Sequence, residues 1–431
     1  MSSTGELLQK LQEGGGDEAL RGLYALDGSD ASLEKGRERA VRVVRAFEAE
    51  FGARPQAALF SGPGRTEIGG NHTDHQHGRV LCGSVDLDML ACAAPNGTDL
   101  VRIRSEGYPA LEVDLRDLKV REEEKNSSPA LVRGVAARLV ELGCRPAGFD
   151  AYVTSTVLSG SGLSSSAAYE ILVATIVDCF FGGGTLDPVE RAKVGQYAEN
   201  VYFGKPCGLM DQMGSSVGGA VAIDFADPAA PVVKKVEYDF TRSGHALCIV
   251  DTGSCHADLT DDYADITREM GAVAARFGEK FLRDVDEGAF RAALPQLREE
   301  CGDRAVLRAM HFFEEDRRAE QEAEALEQGD FDAFLALVDQ SGLSSALNLQ
   351  NTWSAAAPQQ QAIPVALAVG RELLGGSGAI RVHGGGFAGT IQAFVPNEKL
   401  ETFRRGMEEL LGPGMCHILH IRPQGGCVVL K

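Results

Sequence analysis

A short span between Gly64 and Leu81, GRTEIGGNHTDHQHGRVL, combines glycines with a dense set of side chains that can do chemistry. Its ionisable or amide side chains include those of Arg65, Glu67, Asn71, His72, Asp74, His75 and His77. Imidazoles and carboxylates at such close spacing are typical of a zinc site. The same groups also hydrogen-bond the hydroxyls of a polar small molecule. These residues therefore leave two hypotheses open, a metal site and a polar ligand site.

A second segment, VLSGSGLSSSAAYEILVATIVDCFFG at residues 157–182, has the pattern of a phosphate-binding turn. Gly160 and Gly162 permit tight turns, the serines that follow supply hydroxyls, and an apolar helix continues from Ala167. The unpaired N–H groups and partial positive charge of a helix N-terminus suit a phosphate. The segment is not a Walker A loop, because no Gly-Lys-Ser/Thr follows at the required spacing. A serine-capped core helix is the alternative.

A third segment, GQYAENVYFGKPCGLMDQMGSSVGGAVAIDF, places Glu199 and Asp211 on either side of a turn that contains Gly and Pro. A carboxylate at the start of an apolar helix is costly to bury without a partner, and it can serve as a proton acceptor or an electrostatic anchor. The alternative is an ordinary carboxylate at a helix N-terminus or in a surface ion pair. A fourth segment, RVHGGGFAGTIQAF, is either a glycine-rich hairpin or a place where backbone approaches a ligand.

The elements that must position these residues follow from hydrophobic periodicity. The first 50 residues have the spacing of helices, whereas from Ala57 short apolar or alternating runs bounded by Gly, Asn and Pro indicate strands. A charged helical stretch covers about 261–347, and the C-terminal part is predicted as strand, turn, strand, helix and strand. The sequence predicts two α+β domains, at 1–235 and 236–431.

Composition excludes several classes of partner. The 431 residues are 44% hydrophobic and 24% charged, and 62 acidic against 42 basic residues give a formal net charge of -20. That charge opposes broad attraction to nucleic acid or an anionic membrane. The start of the chain resembles no signal peptide, and we see no apolar run of membrane-spanning length, so we expect a cytoplasmic protein. Ten scattered cysteines without a CxxC pair indicate reduced thiols. The sequence does not indicate an oligomeric state.

In combination and order, the four segments resemble the GHMP small-molecule kinases, and within them the galactokinases, from about Ala57 to the C-terminus. The first segment is similar to the galactokinase signature, GSGLSSSA to the phosphate-binding motif, PCGLMDQMGS to the segment with the catalytic Asp, and HGGGFAGT to the third glycine motif. A fifth match is DTGSCHADLTDDY, in which His256 and Tyr263 keep the spacing of a His and a sugar-contacting Tyr.

The resemblance implies an α+β, two-domain GHMP-kinase-like fold, each domain a mainly antiparallel sheet layered with helices, with the active site in the interdomain cleft. It implies an ATP-dependent sugar kinase that phosphorylates the anomeric C1 hydroxyl of galactose and uses Mg²⁺. Its small-molecule partners would be a sugar and ATP.

The resemblance also assigns roles to residues. Asp211 matches the catalytic base, and Arg65 lies near the reacting hydroxyl and phosphate. The sugar would be contacted by Asn71, His72, Asp74, Gly208 and Tyr263. ATP would be bound by Gly160, Ser161, Gly162, Leu163, Ser164, Ser165, Ser166, Gly385 and Gly386. Mg²⁺ would be held by Ser166 and Glu199. Because this assignment also explains the Arg and Asp beside the histidines, it favours a sugar site over a metal site.

The first segment departs from the family pattern GRxNLIGEHTDY. Glu67 replaces an Asn, Gly70 follows Gly69, and Asn71 replaces a Glu that contacts the hydroxyl on the sixth carbon of the sugar. An amide both donates and accepts, so it tolerates a carboxylate on that carbon where Glu would repel it. Galacturonate or another galactose-like sugar is therefore an alternative to galactose. A sugar- and ATP-binding regulator without turnover is a second alternative, against which the intact serine-rich loop argues.

Overall fold

The computed structural model describes residues 1–157, 162–205, 207–254 and 259–431. As the periodicity predicts, helices occupy the first part of the chain up to Phe51 and strands begin at Ala58. The helices are Thr4–Gln12 (α1), Asp17–Tyr24 (α2), Asp30–Phe51 (α3), Ser128–Glu141 (α4), Ser165–Val177 (α5), Pro188–Tyr197 (α6), Met210–Val217 (α7), Thr260–Ala275 (α8), Glu287–Ala292 (α9), Leu294–Cys301 (α10), Asp303–Glu327 (α11), Phe331–Ser344 (α12), Ala362–Leu374 (α13) and Leu400–Leu411 (α14).

The strands form two sheets. They are Ala58–Gly69 (β1), Arg79–Pro95 (β2), Leu100–Ser105 (β3), Leu111–Asp114 (β4), Phe149–Ser155 (β5), Ala220–Asp224 (β6), Val232–Val236 (β7), His245–Asp251 (β8), Ala379–His383 (β9), Thr390–Pro396 (β10), Cys416–Leu419 (β11) and Cys427–Leu430 (β12). The larger sheet has the order β12-β1-β2-β5-β3-β4, with β6 and β7 branching from β2, and the smaller has the order β11-β8-β10-β9. Every pairing is antiparallel except that of β3 with β5. This is the mainly antiparallel α+β architecture that the sequence predicts.

Strand β1 carries the first motif and is buried along its whole length. Successive side chains of a strand point to opposite faces, and here each face meets its own apolar cluster. Leu59 packs with the N-terminal helices through Leu7 and Phe47, while Phe60 packs against α4 and α5 through Leu172. Helices therefore pack on both faces of β1, and this packing fixes the C-terminal end of the strand, where the first motif begins.

The smaller sheet is layered in the same way. Val250 packs with Phe403 of α14 on one face, and Ile249 packs with Phe334 of α12 on the other. The helices α8 to α11 form a further apolar cluster around Phe312. The long helix α11 also packs against β2, so it joins the two sheets.

The last strand bears on the predicted domain division. Although β12 is the C-terminal strand, it pairs with β1 of the larger sheet, with Leu430 opposite Leu59. A division between residues 235 and 236 stays a prediction, and it would have to assign the final strand to the N-terminal domain.

One apolar stretch reaches a length that the sequence analysis did not anticipate. Ser165–Gly182, which comprises α5 and the turn after it, has a mean hydropathy of 1.3 over 18 residues, and 67% of it is buried inside the protein. Because it packs against β1 and α4 in an apolar cluster, its hydropathy is that of a core helix.

Candidate active site

The serine-rich loop leads directly into α5. Gly162 and Ser164 have positive φ angles of 72° and 55°, so the chain turns sharply just before the helix begins at Ser165. No side chain caps the first N–H groups of α5, and free N–H groups at a helix N-terminus attract phosphate. This geometry fits a phosphate site better than a serine-capped core helix. Three residues of the predicted site lie outside the described residues: Gly160, Ser161 and His256.

An ion pair between Arg65 and Asp211 lies beside this loop. Arg65 Nε and Nη2 donate to Asp211 Oδ1 at 2.9 and 2.6 Å, and Ser164 Oγ donates to Oδ2 at 2.7 Å. The backbone N–H of Arg65 also donates to Leu163 O at 3.1 Å, which ties β1 to the loop. Burial raises the pKa of Asp211, but the charge of Arg65 and the Ser164 hydrogen bond outweigh it and bring the pKa below its usual value. Since the Asp211 side chain is 30% exposed, an ionised carboxylate faces the cleft.

The two predicted metal ligands are hydrogen-bonded to each other. Ser166 Oγ donates to Glu199 Oε1 at 3.2 Å. Gln212 Nε2 donates to Glu199 Oε2 at 2.8 Å and to Glu170 Oε2 at 3.0 Å. Glu170 Oε1 and Gln212 Oε1 are buried oxygens that have no hydrogen-bond partner among the described residues. A hydroxyl, a carboxylate and unsatisfied oxygens nearby suit a hard cation such as Mg²⁺.

The histidines of the first motif, by contrast, show no metal centre in the ranges that the structure describes, where no group of three or more His, Cys, Asp or Glu could hold a metal ion. The His77 ring stacks on Phe281 with 3.6 Å between centroids. His72 Nε2 lies 2.9 Å from Gly385 O, and burial lowers the pKa of His72 to about 4. The ring is therefore neutral near pH 7, and its Nε2–H donates to that carbonyl. Of the two hypotheses for this motif, these contacts favour the polar ligand site.

The first motif and the third glycine motif meet around a cavity of about 210 Å³. Its wall carries both predicted catalytic residues and several of the predicted sugar residues. The lining consists of Arg65, Glu67, His72, Asp74, His75, Lys205, Cys207, Gly208, Met210, Asp211, Gly384 and Gly385. A Cβ on Gly208 would stand 2.7 Å from Asp74 Oδ2, so a larger residue there would displace that carboxylate. The first, third and fourth sequence segments thus line one polar cavity, and the serine-rich loop adjoins it through the contacts of Arg65 and Asp211.

The third glycine motif contacts both loops. A Cβ on Gly162 would lie 3.2 Å from the ring of His383, so the start of the motif abuts the serine-rich loop. Further along, Gly385 accepts the histidine bond described above, and Gly386 O accepts a hydrogen bond from Tyr263 Oη at 3.0 Å. Gly385 and Gly386, which the resemblance assigns to ATP, are therefore hydrogen-bonded to residues that it assigns to the sugar.

Asn71 lies behind the cavity wall. Its side chain is fully buried, with Nδ2 donating to Glu67 Oε1 at 2.9 Å and to Gly384 O at 2.7 Å. Its Oδ1 accepts from Ser345 Oγ at 3.2 Å and from Asn351 Nδ2 at 2.8 Å. All four hydrogen-bonding positions of the amide are used within the protein. The prediction that the Asn71 side chain faces the sixth carbon of the sugar stays a prediction, and these internal hydrogen bonds do not favour it.

Sequence reasoning missed the groups that hold this loop from the other side. Arg381 of β9 forms a buried ion pair with Glu67. From α11, Glu315 Oε1 accepts the backbone N–H of Asn71 at 3.2 Å, and His311 Nε2 lies 2.9 Å from the carbonyl oxygen of Asn71. The sequence did carry a signal for these groups: Arg381 is a charged residue within the short apolar strand β9, and His311 and Glu315 lie on the buried side of the long helix α11.

Two models of known protein families match the chain. Residues 45–95 match the galactokinase galactose-binding signature, and residues 130–219 match the GHMP kinase N-terminal domain. The first range contains the loop of His72 and Asp74, and the second contains the serine-rich loop, Glu199 and Asp211.

Similar proteins are found over most of the chain. A galactokinase of Streptomyces coelicolor is 30% identical over 363 residues, covering 84% of this chain and 90% of that protein. A galactokinase of Glaesserella parasuis is 30% identical over 366 residues, covering 84% and 91%. Among solved structures, Lactococcus lactis galactokinase complexed with galactose superposes with a TM-score of 0.74 at 23% identity, covering 89% of this chain and 98% of that one. A mevalonate kinase has a TM-score of 0.60 at 15% identity, covering 84% and 99%. Because galactokinases that are 30% identical cover 84% of the chain and the galactokinase signature matches it, the chain belongs to the galactokinase family of the GHMP kinases.

Proposed function

We propose that this protein transfers the γ-phosphoryl group of ATP to the anomeric C1 hydroxyl of galactose and so forms galactose 1-phosphate. The observation that supports this most is the Asp211 carboxylate at the wall of the polar cavity, held by Arg65 and Ser164 beside the N-terminus of α5. A base of low pKa is thereby set between a sugar-sized polar site and a phosphate-binding helix end.

Asp211 is the proposed general base. The C1 oxygen attacks the γ-phosphorus as its proton passes to the Asp211 carboxylate, and the bond from that phosphorus to the bridging oxygen of ADP breaks. Arg65 keeps Asp211 ionised before the reaction, and its positive charge opposes the negative charge that develops on the transferred group. Near the same cavity, Lys205 supplies a second cation.

The phosphates of ATP are proposed to lie over the loop from Gly160 to Ser166, where the free N–H groups of α5 point. Ser166 and Glu199 would hold Mg²⁺, which when bound neutralises charge on the phosphates. The sugar would be contacted by His72, Asp74, Gly208 and Tyr263. Gly385 and Gly386 are proposed to shape the sugar side of the site through their carbonyl contacts. We further propose that the protein acts in the cytoplasm on these small molecules.

The test is ADP release measured with ATP, Mg²⁺ and a panel of galactose, glucose, N-acetylgalactosamine and galacturonate, with the product identified by phosphorus NMR. Galactose should give the highest kcat/KM and a C1 phosphate. A higher kcat/KM for galacturonate would transfer the proposal to that sugar. Binding of sugar and ATP without turnover of any sugar would instead identify a regulator, and would overturn the proposal.

A further inference from the structure

Glu67 is the carboxylate on the sugar side of the cavity that the mechanism above does not use. It stands near the end of β1 and is only 4% exposed, yet it forms part of the cavity wall. An unpaired buried charge is costly. A buried carboxylate in a ligand cavity is therefore expected to have polar partners both in the protein behind it and in the ligand in front of it.

The two oxygens of this carboxylate have different surroundings. Oε1 accepts hydrogen bonds from Asn71 Nδ2 at 2.9 Å and from Arg381 Nη2. Among the described residues, Oε2 accepts none, and it is not one of the orphaned oxygens that are closed off from solvent. Glu322, for comparison, has both of its oxygens in that closed and orphaned state. Since Oε1 faces the protein, Oε2 is the oxygen that faces the cavity.

Arg381 and Asn71 support the carboxylate from behind. Arg381 is fully buried, and it also donates through Nη1 to Ile68 O at 2.6 Å and through Nε to Val382 O at 2.9 Å. These bonds fix the guanidinium against the backbone, so its charge stays beside Glu67. The amide of Asn71 is likewise fixed by its other contacts. The carboxylate is therefore pre-oriented before any ligand arrives.

We infer that Glu67 is a sugar-contacting residue that determines specificity, with its free Oε2 accepting a hydrogen bond from a substrate hydroxyl. This inference rests on the proposed function and narrows it. An ionised carboxylate only accepts hydrogen bonds, so its partner has to be a donor. A neutral galactose-like sugar with a hydroxyl at this position fits, whereas a sugar with a carboxylate there is repelled.

The experiment compares galactose with each monodeoxygalactose at pH 8, in the parent protein and in Glu67→Gln. Both kcat/KM and the sugar Kd by calorimetry are measured. In the parent, loss of the hydroxyl that faces Glu67 should weaken binding by roughly 10–100-fold, the usual cost of a hydrogen bond to a charged group. In Glu67→Gln, removal of the same hydroxyl should change binding by no more than about twofold. The loss of binding caused by removing each of the other hydroxyls should equal that of the parent.

Glu322→Gln is the matched control, because it makes the same carboxyl-to-amide change at a buried site outside the cavity, and it should keep every ratio of the parent. If Glu67→Gln does not fold, the double variant Glu67→Gln/Arg381→Gln removes both charges of the pair and takes its place. If neither folds, the parent alone decides, since the absence of any deoxy position with a penalty of about tenfold or more overturns the inference. If a folded Glu67 variant still phosphorylates galactose and shows the same ratios of deoxygalactose to galactose binding as the parent, the role of Glu67 is overturned and the proposed function is not. Failure of every sugar to bind or react overturns the proposed function together with this inference.

Discussion

The two ends of the cleft are built differently. At the phosphate end, Arg65, Ser164 and Asp211 are partnered with one another, all come from the first 220 residues of the chain, and Asp211 remains 30% exposed. At the sugar end, Glu67 of β1 is paired with Arg381 of β9, and both side chains are almost completely shut away from water. The first arrangement lies on one side of the cleft, whereas the second joins the two sheets.

In the proposed function, this difference assigns catalysis to the first end and selectivity to the second. Groups that accept a proton or bind phosphate need access to the ligand, and those at the phosphate end obtain their charge balance from near neighbours. Groups that select a sugar need a fixed orientation, and those at the sugar end obtain it from a second layer contributed by the other sheet. Changes at the first end should therefore alter rate with little loss of stability, and changes at the second should alter stability and selectivity together.

The largest effect is expected for Asp211→Asn. Loss of a positioned general base lowers the rate by roughly 10²–10⁴-fold, and the amide keeps the shape of the group that Arg65 and Ser164 contact. Steady-state kcat with galactose measures the loss, while calorimetric binding of galactose should change little. Ser164→Ala, which removes a hydrogen bond from Asp211 and keeps the carboxylate, should cost far less. Turnover near that of the parent in Asp211→Asn would remove this residue from the role of base.

The next largest effect is expected for Asn71→Glu, and it is a loss of stability. The new carboxylate would replace an amide whose positions are all hydrogen-bonded, beside the buried carboxylates Glu67 and Glu315. An uncompensated buried charge costs roughly 3–5 kcal/mol, which urea unfolding would measure. The same exchange at the exposed Asn397 should stay within about 0.5 kcal/mol. A stable Asn71→Glu protein with an altered ratio of galactose to galacturonate turnover would instead support the sequence-based prediction that Asn71 faces the sugar.

Asn71 also marks where prediction from sequence ends. The serine-rich loop, Asp211 and Glu199 could be singled out from sequence because their surroundings are local: a turn, a helix start and hydrogen bonds within one layer. Their roles stay predictions. The direction of the Asn71 side chain depends instead on Ser345 and Asn351, which lie far along the chain. No periodicity in the sequence reports such a contact.

Elements were easier to predict than pairings, for the same reason. Alternating burial identifies strands, and each helix shows its own apolar spacing. That the C-terminal strand Cys427–Leu430 pairs with β1 depends on long-range register. Likewise, Gly69 reads as one glycine in a polar motif, although a Cβ there would stand 1.6 Å from Glu322 Oε2. Its role is to make room for a buried carboxyl group from α11.

A third effect concerns pH and should be confined to the sugar end. The pKa of His72 is lowered by burial from 6.5 to about 4, so protonation favours the unfolded chain. Its contribution to stability is complete above pH 6.5 and is lost as the pH falls to about 4, by roughly 2–3 kcal/mol. Unfolding free energies measured across this range should vary less in His72→Gln, whose amide can still donate to Gly385 O.

His420 is the control for this pH effect, because its pKa is shifted in the opposite direction from that of His72. Hydrogen bonding to Asp86 raises the pKa of His420, so its contribution is present at low pH and is lost as the pH rises through the raised pKa. His420→Gln should therefore leave the pH 4 to 6.5 slope in place and change the profile only above it. An unchanged slope in His72→Gln would mean that His72 is not the titrating group.

The smallest effect returns to the phosphate end and concerns Mg²⁺. Glu199→Gln and Ser166→Ala each remove a charge or an oxygen from the pair proposed to hold the cation, and Mg²⁺ prefers hard oxygen ligands. Each should raise the Mg²⁺ concentration for half-maximal activity by roughly tenfold, and calorimetry should show MgADP binding weakened without a change in galactose binding.

Glu170→Gln is the control for these two variants, because Gln212 hydrogen-bonds to both Glu170 and Glu199. Burial and the nearby charge of Glu199 raise the pKa of Glu170 well above its usual value. The raised pKa favours the neutral carboxyl form of Glu170, which loses no charge when it becomes an amide, so this variant should keep the Mg²⁺ dependence of the parent. If all three variants shift the Mg²⁺ dependence equally, the cation is held by the buried cluster of Ser166, Glu199 and Glu170 together. The phosphate end would then be enclosed like the sugar end, and the contrast between the two ends would not extend to the cation site.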